Sequence, residues 1–142
     1  MTQRYEVRSE NRDGVEVFVL RDRASARAEI APALGNDCFA YDTALPVLEA
    51  LTFAEFVKKP TSYGIPLLFP FPNRIRDGAF TFRGKRYEID PPRHGFVRDK
   101  AWRVMGTGAS EKDGAWICSE IRASDYAQQI LEQFPFPFSL QV

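Results

Sequence analysis

Residues 64–104 read GIPLLFPFPNRIRDGAFTFRGKRYEIDPPRHGFVRDKAWRV, and the fold class turns on how this stretch divides. Pro66, Pro70 and Pro72 each lack the N–H that a ladder needs, so Gly64 to Pro72 cannot be a central strand throughout. It reads as a short strand, Ile65 to Phe69, running into an ordered loop. Ala79 to Arg83 alternates apolar and polar side chains, Gly84-Lys85 turns the chain, and Arg86 to Ile89 returns. That is a hairpin pattern. Pro91-Pro92 then forces an extended linker into His94-Gly95.

The same period-2 signal extends outward in both directions. Tyr5 and Val7 alternate with Glu6 and Arg8, Asn11 to Gly14 is a turn, and Val15, Val17 and Val19 follow as the second arm of a hairpin. Ala26 to Ile30 and Cys38 to Tyr41 are further strands around a Gly35-Asn36-Asp37 turn. Ala101 to Met105 and Ala115 to Arg122 flank a loop at 106–114. Two short helices are expected, one within Leu45 to Lys59, ended by Pro60, and one over Asp125 to Gln133. Many short strands with turns between them predict an all-β antiparallel sandwich or barrel, because a parallel α/β sheet would need longer crossover helices. The 142 residues are one domain's worth of chain. Leu140-Gln141-Val142 looks like the first half of a strand, which must pair within the chain or leave an open sheet edge.

Lys+Arg and Asp+Glu both number 19, so the net charge is zero, which argues against a globally basic nucleic-acid or membrane-surface binder. The balance is uneven, however. Residues 73–103 carry nine Lys/Arg against four Asp/Glu and include the only histidine. No apolar run approaches the roughly 20 residues of a membrane helix, and the N-terminus does not resemble a signal peptide. Cys38 and Cys118 have no metal-site spacing and read as reduced thiols of a cytoplasmic protein. One histidine is thin support for a metal centre, and no GxSxG, Walker A or GxGxxG motif is present.

Candidate site residues lie inside the cationic stretch. Arg74 offers five donors in a fixed fork, and Asn73 offers a donor and an acceptor. Held by a proline-stiffened loop, the pair suits a hydroxyl-rich ligand, unless Arg74 is taken by Asp77 or Asp90 and Asn73 closes a turn. His94 sits in an irregular segment before Gly95, where a ligand or another backbone can come close. Arg98 and Asp99 read as a structural pair. Phe71 or Trp102 could stack on the apolar face of a sugar, although Trp102 fits a core position better.

Taken together, Gly64 to Ile75 with its NRI end, Arg76-Asp77-Gly78, Tyr87, His94-Gly95-Phe96-Val97-Arg98 and Trp102 resemble the aldose 1-epimerase (galactose mutarotase-like) family. Gly35-Asn36 and Phe136 to Leu140 fit the same pattern more loosely. The resemblance implies an antiparallel β-sandwich of the galactose mutarotase-like type, here its N-terminal part with one or two short helices. It implies interconversion of the α and β anomers of an aldose, with no cofactor. It carries sugar contacts to Arg74 and His94, and more weakly to Asn73, with His94 near the reacting centre as the candidate catalytic residue; Phe71 joins the substrate-binding set on the stacking argument alone. The family's second histidine and downstream glutamate have no counterpart here, and Glu88, Asp90 or Asp99 would have to substitute. The expectation is therefore a truncated member with little mutarotase activity, partnered by a second copy or a missing C-terminal half. A hexose 6-phosphate ligand and a non-catalytic carbohydrate-binding module are the alternatives.

Overall fold

A computed structural model describes residues 3–49 and 51–142. Strands β1 (Tyr5–Arg12), β2 (Val15–Asp22), β3 (Ala26–Ala31) and β4 (Asp37–Asp42) form an antiparallel sheet in sequential order. Helix α1 (Phe53–Lys58) follows, then the hairpin β5 (Ala79–Phe82) and β6 (Lys85–Glu88). The chain closes with β7 (Arg103–Ser110), β8 (Gly114–Arg122), helix α2 (Ala127–Ile130) and β9 (Ser139–Gln141), which form a second antiparallel sheet in the order β7-β8-β9. Strand β1 lies close to β7 and β8, and β2 to β8, which brings the two sheets together.

The hairpins form where two-residue turns can take positive φ. Asp13 and Gly14 (φ 51° and 86°) join β1 to β2, and Arg83 and Gly84 (φ 50° and 77°) join β5 to β6. Both pairs suit the turn whose twist matches antiparallel strands. The second turn lies one residue earlier than Gly84-Lys85, and Lys85 is the first residue of β6.

Three apolar clusters fill the interior. Val17, Val19, Ala31 and Phe39 of the first sheet bury against Phe56 of α1, whose ring stacks on Phe39 at 4.4 Å. Val97, Trp102 and Ile121 pack with Phe69, Phe138 and Leu140 under the second sheet. Ile89, Phe96, Ala123 and Ile130 anchor an aromatic layer that includes Phe71, Phe80 and Phe134.

Four expectations need correction. Ile65 to Phe69 is not a strand, and only Ile65 and Phe69 make isolated bridges, to Cys38 and Gly95. The prolines leave too few donors for a ladder. Leu45 to Lys59 is helical only over Phe53–Lys58, because Thr52 and Glu55 form a capping box that starts the helix there. Before it, Val47 N–H donates to Tyr41 O and the chain folds back on β4. The loop expected at 106–114 is mostly strand, since β7 runs to Ser110. The Trp116 indole lies across both glycines, at ordinary contact from Gly106 (3.6 Å to a Cβ built there) but within 2.7 Å of a Cβ built at Gly108, where it leaves no room for a side chain. Residues 123–126 form a 3-10 turn, and α2 itself spans only Ala127–Ile130.

The terminal strand pairs within the chain. Leu140 lies opposite Ile121, and Ser119 and Val142 exchange two backbone hydrogen bonds of 2.8 and 3.0 Å. Strand β9 is the edge of its sheet.

Candidate functional site

Residues 69–75 and 92–96 lie side by side, joined backbone to backbone. Phe96 N–H donates to Phe69 O (2.8 Å), His94 N–H to Asn73 O (3.1 Å) and Ile75 N–H to Pro92 O (2.9 Å). Gly95 makes this approach possible. Its φ is +70°, and a Cβ there would sit 1.9 Å from Phe69 O. His94 also takes the left-handed region, at φ 65°, which is uncommon for a residue with a side chain.

His94 and Arg74 both stand on this ladder, in neighbouring pairs: His94 opposite Asn73 and Arg74 opposite Arg93. His94 Nδ1 lies 3.2 Å from Pro72 O. A carbonyl oxygen only accepts, so in this contact Nδ1 donates, and Nε2 has no hydrogen-bond partner among the described residues. Arg74 is exposed and takes part in neither a side-chain hydrogen bond nor an ion pair among the described residues. The Asp77 and Asp90 pairings considered for it are not formed. Asp77 accepts from Arg86 through its backbone carbonyl (3.5 Å), and Asp90 donates its N–H to Gln133 Oε1 (2.6 Å). Asn73 Oδ1 accepts from the Arg74 N–H at 2.8 Å, so its side chain shapes the turn that carries Arg74.

Phe71 turns inward. Its ring meets those of Phe80, Phe96 and Phe134 at centroid distances of 5.8, 6.3 and 5.8 Å and forms part of the floor under the ladder. Trp102 is buried and donates from Nε1 to Val97 O (3.1 Å), a core role. The expected Arg98–Asp99 pair is replaced by Lys100–Asp99 at 2.8 Å. None of Glu88, Asp90 and Asp99 hydrogen-bonds His94. Glu88 lies 3.7 Å from Arg86, and Asp90 and Asp99 line a cleft of about 340 Å³ that also touches Gly95 and Arg98 but not His94.

Three buried carboxylates escape a reading of residue types: Glu29, which is paired with Arg12 at 2.7 Å, Asp37 and Glu120. Asp37 is 1% exposed, its Oδ1 accepts from Ile65 N–H (2.8 Å), and its Oδ2 has no partner. Burial pushes its pKa up to about 7. Glu120 is 3% exposed, yet Arg103, Ser139, Gln141 and Arg122 all reach it, and they hold its carboxyl down to about 2. Sequence reading also missed Arg93. It stands directly opposite Arg74 in an antiparallel bridge, a register that only the folded backbone reveals.

Residues 41–142 match the model of the aldose 1-epimerase family. Among solved structures, a galactose mutarotase-like protein from Clostridium acetobutylicum is similar with a TM-score of 0.77 at 22% identity, over 96% of this chain and 44% of that one. The Slr1438 protein of Synechocystis sp. PCC 6803 is similar with a TM-score of 0.72 at 26% identity, over 99% of this chain and 45% of that one. The chain thus spans a little under half the length of these structures.

Proposed function

This chain belongs to the aldose 1-epimerase family, and from that premise we propose that the 69–75/92–96 ladder binds an aldose in anomer interconversion. One observation carries the reading. The Arg74 guanidinium and the His94 ring stand on one backbone ladder, and the groups that could meet sugar hydroxyls, the Arg74 fork and His94 Nε2, are not engaged by the protein's own side chains among the described residues.

The chemistry sets what such groups do. Ring opening moves the anomeric hydroxyl proton to a base while the C1–O5 bond breaks and an acid protonates O5. C1 then rotates and closure reverses both transfers. A positioned acid–base group contributes about 10²–10⁴-fold. His94, with Nδ1 held by Pro72 O, offers Nε2 to a sugar hydroxyl. Arg74 orients the sugar and steadies developing negative charge on oxygen. The 142 residues hold one histidine, and no carboxylate hydrogen-bonds it among the described residues. The isolated chain is therefore proposed to bind sugar while turning it over slowly at most. Its two free, half-buried thiols suit a reducing, cytoplasmic setting.

Heteronuclear NMR titration with glucose and galactose, beside polarimetry of fresh α-glucose, tests this. The expected result is saturable shifts centred on His94 and Arg74, lost in His94→Ala, with anomer equilibration close to the buffer rate. Absence of sugar shifts at high millimolar concentrations overturns the reading. Fast equilibration abolished by His94→Ala overturns its second half.

A further inference from the structure

Asp37 is the first residue of β4 and is buried. Its Oδ1 accepts from Ile65 N–H at 2.8 Å, a donor shared with Cys38 O at 3.1 Å, and its Oδ2 has no partner. Gly64 closes over it. A Cβ at that residue would lie 2.2 Å from Asp37 Oδ1 and 2.7 Å from Cys38 O, so a side chain there would lift the cover. The Ile65 bond by itself gives no reason for an acid. An asparagine amide oxygen accepts the same N–H without bringing an ionisable group into a buried place. What the carboxyl adds is a proton that can leave.

The position of the contact gives that proton a reach. Between Gly64 and Phe69 the backbone is bonded only at its two ends, Ile65 to β4 and Phe69 O to Phe96 N–H. Residues 64–69 are therefore a strap from the Asp37 carboxyl to the ladder that carries His94. Leu67 and Phe69 pack on Val97, Trp102 and Ile121, which makes the strap a stiff link and not slack chain.

An ionised Asp37 has no cation to meet it. Burial raises its pKa to about 7, outweighing the Ile65 bond, which acts the other way. Cys38 is the titratable neighbour coupled to it, and burial followed by the Asp37 charge pushes that thiol up to about 11. Around it, Glu29 on β3 is held by Arg12 and Arg27, and Lys100 by Asp99. Lys59, Tyr63 and Arg98 make no bond to Asp37 among the described residues. Relief comes only from water, and water reaches the carboxylate when Gly64 and Ile65 lift off.

We propose that Asp37 is a positioning residue for the His94 site and acts as a proton-controlled clasp: the neutral acid holds the 64–69 strap on β4, and the carboxylate releases it and loosens the Phe69 side of the ladder. Opening returns the carboxyl to its ordinary value of 3.8, so the open fraction rises between about pH 4 and pH 7, by up to about tenfold per pH unit, and levels off above. A sugar that needs the closed ladder then binds the protonated form better. That last step rests on the sugar-binding reading above, whereas the clasp itself does not.

The test is amide hydrogen exchange of the whole chain, wild type and Asp37→Asn, followed by NMR from about pH 4.5 to pH 8 and corrected for the intrinsic rate. Asparagine keeps the acceptor and the volume, so the variant folds, and circular dichroism checks this. The expected result is that Ile65 and Phe96 exchange faster than core amides such as Val19. Their protection falls with pH up to about 7 in the wild type and stays level in Asp37→Asn. Exchange of Ile65 and Phe96 only together with Val19, or the same pH dependence in both proteins, overturns the clasp. Glucose titrations at pH 5 and pH 8 then read the site, with wild-type affinity at least about threefold higher at pH 5 relative to the change seen in Asp37→Asn. An identical pH response of glucose affinity in the two proteins overturns the positioning role. Failure of both proteins to bind glucose overturns the sugar reading instead, and the exchange data still decide the clasp.

Discussion

Replacing Gly95 by alanine should damage both the fold and the site, and the structure gives the size of the effect. The new Cβ would lie 1.9 Å from Phe69 O, 2.3 Å from Phe69 C and 2.8 Å from Pro70 N, all backbone atoms that no rotamer change can move aside. Alanine at φ +70° costs about 1–2 kcal/mol on its own. Relief of the overlap requires the two segments to part, which breaks the 2.8 Å hydrogen bond from Phe96 N–H to Phe69 O. Phe96 is 5% exposed, so a donor stranded there costs about 1–3 kcal/mol. Together these predict a loss of about 2–5 kcal/mol, a large part of the 5–15 kcal/mol that usually holds a domain together. Urea denaturation followed by circular dichroism measures it. The bond from His94 N–H to Asn73 O belongs to the same ladder, so sugar-induced NMR shifts at His94 should weaken even where the variant remains folded. A stability loss below about 1 kcal/mol, with His94 shifts unchanged, would refute the claim that close backbone approach at Gly95 assembles the site.

Three further outcomes follow from other parts of the structure. Asp37 has a folded pKa of about 7 against an ordinary 3.8, so its proton is held more tightly in the fold. Its stabilising contribution is complete below about pH 4 and is lost as pH rises through 7, by up to about 4 kcal/mol. Asp37→Asn, measured by urea denaturation from pH 4 to pH 8, should remove that decline and be the more stable protein at pH 8. Thr52→Ala removes the hydroxyl that accepts from Glu55 N–H and donates to Glu55 Oε2, and should lower the melting temperature through a loss of about 1 kcal/mol. Gly108→Ala pushes against the Trp116 indole, which is 41% exposed and free to swing outward. It should red-shift tryptophan emission while costing less than about 1 kcal/mol, and an unchanged spectrum would argue against the indole lying across β7.

The hairpins were legible because their information is local. Asp13-Gly14 sits between alternating runs, and turn chemistry and strand period agree there, while the second hairpin was legible with its turn one residue late, at Gly84-Lys85 instead of Arg83-Gly84. Strand β7 was foreshortened because Gly106 and Gly108 look like loop residues, whereas both lie in the strand under Trp116, which at Gly108 occupies the space a side chain would fill. The helix was overextended because apolar spacing over Leu45 to Phe56 hides the restart that Thr52 imposes. Within the site, Arg74 and His94 stood out by residue type and by their irregular, proline-rich surroundings. Arg93 did not, since its meaning comes from facing Arg74 across a gap of 19 positions in sequence. Asp37 was hidden for a related reason: its burial depends on Gly64 and Ile65 closing over it from a distant segment.

The placing of the site residues and their chemistry are thus carried by different atoms. Arg74, Arg93 and His94 are positioned by main-chain bonds from Ile75, His94 and Phe96, and apart from the His94 Nδ1 contact their side chains contribute nothing to the ladder. Gly95 and the Asn73 Oδ1 bond to Arg74 N–H do the opposite, shaping backbone while offering little to a ligand. Substitutions at the first three should therefore change binding with little change in stability. Changes at Gly95 and Asn73 should alter both together, because they move the frame on which the other three stand.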